Sequence, residues 1–203
     1  MRTMAAAIAG ASLALIICAA MTVAYVRTTG LVARGTPGVM ETRVARAGRR
    51  LAIPSTARGR QNPVPESAAT IADGMAHFAD HCASCHGNDG SGLTEMGRGL
   101  YPKPPDMRRP ATQELSDGEL FYIIDNGVRF TGMPAFGTGT TAGAESTWRL
   151  VRFVRRLPRL TADELQRMET MNPRSPEEIR QEIEERQFLQ GGGDSSPASS
   201  PQR

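Results

Sequence analysis

Five consecutive residues, Cys82-Ala83-Ser84-Cys85-His86, restrict the folds open to this chain more than any other segment. A Cys-x-x-Cys pair alone serves zinc binding and dithiol redox chemistry equally well. Structural zinc needs four ligands, and the sequence holds no second cysteine pair and only His77 and His81 besides His86. A dithiol oxidoreductase would set the pair in a strand–helix–strand context, which the neighbouring residues lack. The histidine that follows at once changes the reading. Two thiols three positions apart reach the two vinyl groups on one porphyrin edge, and the next residue presents its imidazole to the iron. Cys82 and Cys85 are therefore the candidate attachment points of one covalent haem c, with His86 as proximal iron ligand. The third cysteine, Cys18, stands alone in an apolar stretch, which excludes a disulfide framework.

The far side of the iron requires a second ligand. With ten methionines in the chain, a methionine by itself says little. Met133 differs by its setting, Phe130-Thr131-Gly132-Met133-Pro134-Ala135-Phe136-Gly137, a loop able to fold closely over a flat cofactor and hold a thioether against iron. It follows His86 by 47 positions, enough chain to reach the opposite face. Met96 and Met107 are the other candidates, each also readable as a packing residue. His81 adjoins Cys82 and belongs to the attachment side.

Composition agrees with a small fold that borrows stability from a cofactor. Hydrophobic residues make up 39% of the 203 and aromatics 5%, against about 45–50% apolar in ordinary domains. Part of that total lies in residues 4–26, an uncharged run. As a helix it would be about 34 Å long, enough for a bilayer core of about 30 Å. Arg2 and the small residues Cys18 and Ala20 also fit a cleaved signal peptide; length favours an uncleaved single-pass anchor, with Tyr25 at the interface. Residues 27–66, interrupted by Pro37, Pro54, Pro63 and Pro65, read as a linker arm with local order only around 44–53. Charge is graded: nine Arg against two acids through residue 66, ten basic against ten acidic over 67–160, and five Arg against nine acids beyond. The basic block flanks an apolar segment and lacks interleaved aromatics, so nucleic acid is not an expected partner.

Residues 67–160 form the candidate domain, and its patterns are all helical. One spans 72–82, with Gly74 and Phe78 four apart. A second spans 117–126 and ends at Gly127. A third spans 146–157, carries Trp148, Val151, Val154 and Leu157 on one stripe, and is stopped by Pro158. The acidic tail 161–190 has two capping signals, Thr161 with Glu164 and Ser175 with Glu178. Residues 191–203 have the composition of a disordered end.

Taken together, residues 68–160 resemble a class I cytochrome c, the small all-α monohaem electron carrier. The resemblance rests on Gly74 and Phe78 ahead of the haem motif and on His86-Gly87-Asn88-Asp89-Gly90-Ser91-Gly92 after it. It also rests on Tyr101-Pro102-Lys103-Pro104-Pro105-Asp106, Asn126-Gly127-Val128-Arg129, Gly132-Met133-Pro134 and the Trp148 helix. It covers a little under half of the chain. It implies that the first and last helices cross near Gly74, and that a carbonyl at Pro102 or Pro104 accepts the His86 Nδ1 proton. Arg129 is either a haem-propionate partner or an ordinary solvated arginine.

His/Met ligation leaves no open iron position and suits one-electron transfer rather than substrate turnover. The expected function is a membrane-tethered electron carrier working between redox proteins such as another cytochrome, an oxidase or a dehydrogenase. A fixed electron-transfer subunit of a membrane oxidoreductase is the alternative, and an open-site sensor or peroxidase a more distant one. The family implies haem attachment outside the bacterial cytoplasm, which puts the haem domain on the periplasmic side of the inner membrane. The arginine-rich flank conflicts with the usual excess of positive charge on the cytoplasmic side.

Overall fold

The computed structural model describes residues 2–190; the C-terminal stretch 191–203, expected to be disordered, lies outside the described residues. Every regular element among them is helical. In chain order these are α1 (Arg2–Thr29), α2 (Val39–Ala52), α3 (Ser55–Arg58), α4 (Ala68–His77), α5 (Ala83–His86), α6 (Glu95–Gly99), α7 (Pro110–Gln113), α8 (Asp117–Asn126), α9 (Thr141–Arg156), α10 (Ala162–Glu169) and α11 (Pro176–Leu189). A π turn, Phe78–Cys82, joins α4 to α5, and a 3₁₀ turn, Leu157–Arg159, follows α9. Helix α1 is long and apolar enough to cross a membrane, as both anchors and signal sequences are.

Local chemistry sets the helix ends. Ser116 accepts the Glu119 amide while Glu119 Oε2 accepts the Ser116 amide, a reciprocal cap that opens α8. Thr161 with Glu164 and Ser175 with Glu178 open α10 and α11 in the same way. Gly127, at φ 66° and ψ −170°, closes α8 in a backbone region that only glycine enters without strain.

Helices α4 and α9 pack against each other at Gly74. A Cβ there would lie 2.4 Å from the Arg149 carbonyl oxygen and 2.9 Å from Phe153 Cβ, so only hydrogen allows this approach. Phe78 and Phe153 meet beside the crossing at 5.2 Å between ring centroids, and Trp148 stacks on Phe121 of α8 at 4.2 Å. Leu150, Val151, Val154 and Leu157 complete a buried cluster that also takes in Met75, Ala83 and Met107.

Two stretches differ from the sequence expectation. Within the supposed arm 27–66, residues 39–52 form α2, and the chain from Ile53 to Val64 is strapped onto the helical body. Ile53 and Ala57 are buried. The Asn62 side chain donates to the Trp148 carbonyl at 2.9 Å, and Arg152 donates to the Val64 carbonyl. Gly118 of α8 has no side chain because the Ala57 carbonyl lies 1.9 Å from where a Cβ would sit. Prolines that break helical periodicity thus do not prevent order when tertiary contacts supply it. At the other end, Met168 of α10 is fully buried in the same core, so packing continues past residue 160.

Candidate haem site

The π turn delivers the chain into α5, so Cys82, Cys85 and His86 all fall within one short helical segment. A π turn holds one extra residue per turn and occurs often at functional sites. Gly87, at φ 74°, ends α5 immediately after His86. The Thr94 hydroxyl donates to the Cys85 carbonyl at 3.1 Å and accepts the Gly97 amide at 2.8 Å, which ties α6 to the motif. Gly97 is itself pressed against the Cys85 carbonyl.

Cys82 and Cys85 are free thiols. Burial, with the neighbouring Cys85 second, pushes the Cys82 thiol up to about 12, so it stays protonated at neutral pH. That is opposite to the lowered pKa of a dithiol oxidoreductase nucleophile. Desolvation pushes His86 down to about 4, which keeps its imidazole neutral, the metal-binding form. Its Nδ1 is buried without a hydrogen-bond partner. The bond to a Pro102 or Pro104 carbonyl that the resemblance implied is therefore not made. The Pro104 carbonyl is turned instead against Gly92, 2.5 Å from the position of a Cβ there. Two free thiols and a neutral imidazole on one short segment suit the residues to an iron porphyrin.

The three methionine candidates have separate environments. Met107 is buried in the core, with its amide donating to the Gly90 carbonyl. Met96 is exposed, its sulfur 3.3 Å from Cys85 Sγ on the attachment side. Met133 is half-buried in a loop fastened at several points. Its amide donates to Thr131 Oγ1, and its carbonyl accepts the Val128 amide at 3.1 Å. The Phe136 and Gly137 amides donate to the Ile124 and Asp125 carbonyls, which anchors the loop to the end of α8. The loop passes so close to Gly127 that a Cβ there would lie 2.6 Å from the Ala135 nitrogen. Arg129 is exposed at the start of this loop.

Residues 69–154 match the family model described as cytochrome c oxidase, cbb3-type, subunit III. This segment is a c-type cytochrome domain. No curated protein matches the chain. The match begins in α4 and ends within α9, and its limits enclose the thiol–imidazole segment and the Met133 loop. Haem-based electron transfer is the function that goes with such a domain.

Sequence reasoning missed the clamp that fixes the loops of the cytochrome domain to each other. Arg108 bridges Asp89, three residues after the haem motif, to Asp106 in the proline segment, at 2.9 Å and 2.8 Å. Gln113 adds a second tie, donating to the carbonyls of Met107 and Val154. Isolated Asp, Arg and Gln residues carry no spacing signal. Only Asp89 and Asp106, both inside quoted segments, were within reach of sequence.

Proposed function

We propose that the chain is a membrane-tethered monohaem carrier of single electrons. In this reading Cys82 and Cys85 hold one haem c through thioether bonds, and His86 and Met133 are the axial ligands. Helix α1 is an uncleaved single-pass anchor in the bacterial inner membrane, with the cytochrome domain on the periplasmic side. The bound haem supplies the one-electron couple, and a methionine ligand raises its potential relative to a second nitrogen donor. The protein's part is to hold both ligands in place through the redox change and to keep water out. Redox partner proteins, not a substrate, are its expected counterparts, so it has no independent catalytic activity. The observation that carries this reading is the set of two free thiols and a neutral imidazole on one segment, Cys82, Cys85 and His86, within the matched cytochrome domain. Met133 is favoured because Met107 is buried within the core and Met96 lies against Cys85, whereas Met133 packs only half-buried against that core from a fastened loop.

The test is the optical spectrum of protein matured with haem, reduced with and without carbon monoxide, beside Met133→Ala. Low-spin bands that ignore the gas in the native chain, and respond to it in Met133→Ala, are expected. A native spectrum that shifts with carbon monoxide would give the iron an open position and overturn the Met133 assignment.

The matched family description names an oxidase subunit, which favours a second reading as a fixed electron-transfer subunit of a membrane complex. Purification in mild detergent separates the two. A mobile carrier leaves the membrane alone, whereas a subunit leaves with other chains in constant ratio.

A further inference from the structure

Helix α2 belongs to neither the cytochrome domain nor the anchor. Its sequence places Met40, Val44, Ala47 and Leu51 at spacings of four, three and four, a single stripe along 14 residues. Met40, Val44 and Leu51 are 70%, 64% and 85% exposed, and no residue of the helix is buried. The helix nevertheless touches the body through other faces. Glu41 accepts from the Tyr101 hydroxyl, and the Arg50 carbonyl accepts from Arg58. Arg49 is partly desolvated, and Glu119 on α8 is among the charges that act on it. The stripe therefore points away from the domain.

Arg43 and Arg46, both exposed, flank the stripe together with Arg50. The segment that leads from α1 adds exposed Leu31 and Val32, and Lys103 fastens it to the domain by donating to the Ala33 carbonyl at 2.9 Å. Only nine residues separate the end of α1 from the start of α2. A basic amphipathic helix of low overall hydrophobicity, held this close to a membrane-crossing helix, has the features of one lying in the headgroup plane of a bilayer.

We propose that α2 is an interfacial helix. Its Met40–Val44–Ala47–Leu51 stripe rests in an anionic phospholipid surface, and its arginines contact lipid phosphates. The cytochrome domain, joined to the opposite side of α2, is then carried at a fixed attitude over the membrane instead of swinging on a free arm. The arginine-rich flank, at odds with the charge rule for membrane orientation, acquires a role as lipid contact. This inference rests on α1 being retained as an anchor.

The test uses the full-length haem-loaded protein with Cys18 replaced by Ala, reconstituted in vesicles of phosphatidylcholine with or without phosphatidylglycerol. Nitroxide labels on Ile16→Cys, Val44→Cys, Leu51→Cys and Arg46→Cys are read as the ratio of oxygen to nickel-chelate accessibility. In anionic vesicles, positions 44 and 51 are expected to show the high ratio of a lipid environment, as position 16 does, while position 46 shows an aqueous one. The ratios at 44 and 51 should fall in neutral vesicles and in an Arg43→Gln/Arg46→Gln background. A lipid value at 16 with aqueous values at 44 and 51 overturns the interfacial helix and leaves the anchor standing. An aqueous value at 16 overturns both. Equal burial in neutral and anionic vesicles removes the arginine–phosphate part of the proposal. Protection of 44 and 51 that appears only in native membranes would make the occupant a partner protein and overturn the lipid assignment.

Discussion

At the scale of single residues, Gly127 illustrates how the Met133 loop depends on an absent side chain. Its φ of 66° and ψ of −170° lie in a region essentially reserved for glycine, and a Cβ would meet the backbone of Pro134 and Ala135 at 2.6 Å. Gly127→Ala is expected to destabilise this loop by roughly 1–3 kcal/mol while leaving the α4–α9 crossing intact. Methionine ligation should then be lost at lower urea than helical circular dichroism; coincident transitions would show that the loop does not open separately. Asp106 gives a second residue-level prediction, through pH. Hydrogen bonds from Arg108 hold its carboxyl down at about 2, against 3.8 for the free group. A depressed folded-state value means that stability is present above the unfolded pKa and is lost as pH falls through the folded one. Asp106→Asn should therefore be less stable than the native chain at pH 7, and the difference should shrink between about pH 4 and pH 2. Urea unfolding across that range checks it, and a pH-independent difference would remove the ionic contribution of the clamp.

At the scale of elements, the α4–α9 crossing rests on Gly74. Alanine is ordinarily the better helix former, by about 0.5–1 kcal/mol. Here the added Cβ would face the Arg149 carbonyl at 2.4 Å, and a backbone atom moves only with its helix. Gly74→Ala is therefore expected to cost a net ~1–3 kcal/mol, the range of overpacked cores. Chemical denaturation measures this, and a stabilised variant would mean that the two helices separate freely. Elements whose ends carry chemistry were legible in the sequence: α8 from Asp117 to Gly127, α10 from its Thr161 cap and α11 from its Ser175 cap. The cytochrome character of the segment matched by the family model was legible because Cys82, Cys85 and His86 at fixed spacing have few other uses. Helix α2 was legible only in part, as local order around 44–53, although its Met40–Val44–Ala47–Leu51 spacing carries a helical period; the strap after it was not, because Pro54, Pro63 and Pro65 hide any period. What orders the strap lies far away in sequence, in Trp148, Arg152 and the bare backbone of Gly118. The state of His86 Nδ1, buried without a partner, was likewise out of reach, since spacing does not tell which way the carbonyls of a proline-rich loop turn.

At the scale of the whole molecule, the unit that folds is larger than the cytochrome domain read from sequence. On the N-terminal side, Arg60 lies over the stacked pair, 4.3 Å from the Phe121 centroid and 5.2 Å from that of Trp148, and shields both rings. Ile53 and Ala57 add apolar burial, and Asn62 and Val64 engage α9 through hydrogen bonds. On the C-terminal side, Arg156 pairs with the cap residue Glu164, whose acidity is raised by the Thr161 and Arg156 hydrogen bonds despite desolvation. That pairing holds α10 where Met168 reaches the core. A fragment of residues 53–174 should consequently melt well above one of residues 67–160 when both carry haem. Loss of the Met168 side chain alone is worth about 2–5 kcal/mol. At about 4–8 °C per kcal/mol for a domain of this size, that corresponds to a difference of about 8 °C or more. Equal melting temperatures would reduce the strap and α10 to surface decoration. The expected difference would instead mean that the strap 53–64 and α10 are built into the fold of the cytochrome domain, so the stability of the matched segment depends on residues outside it.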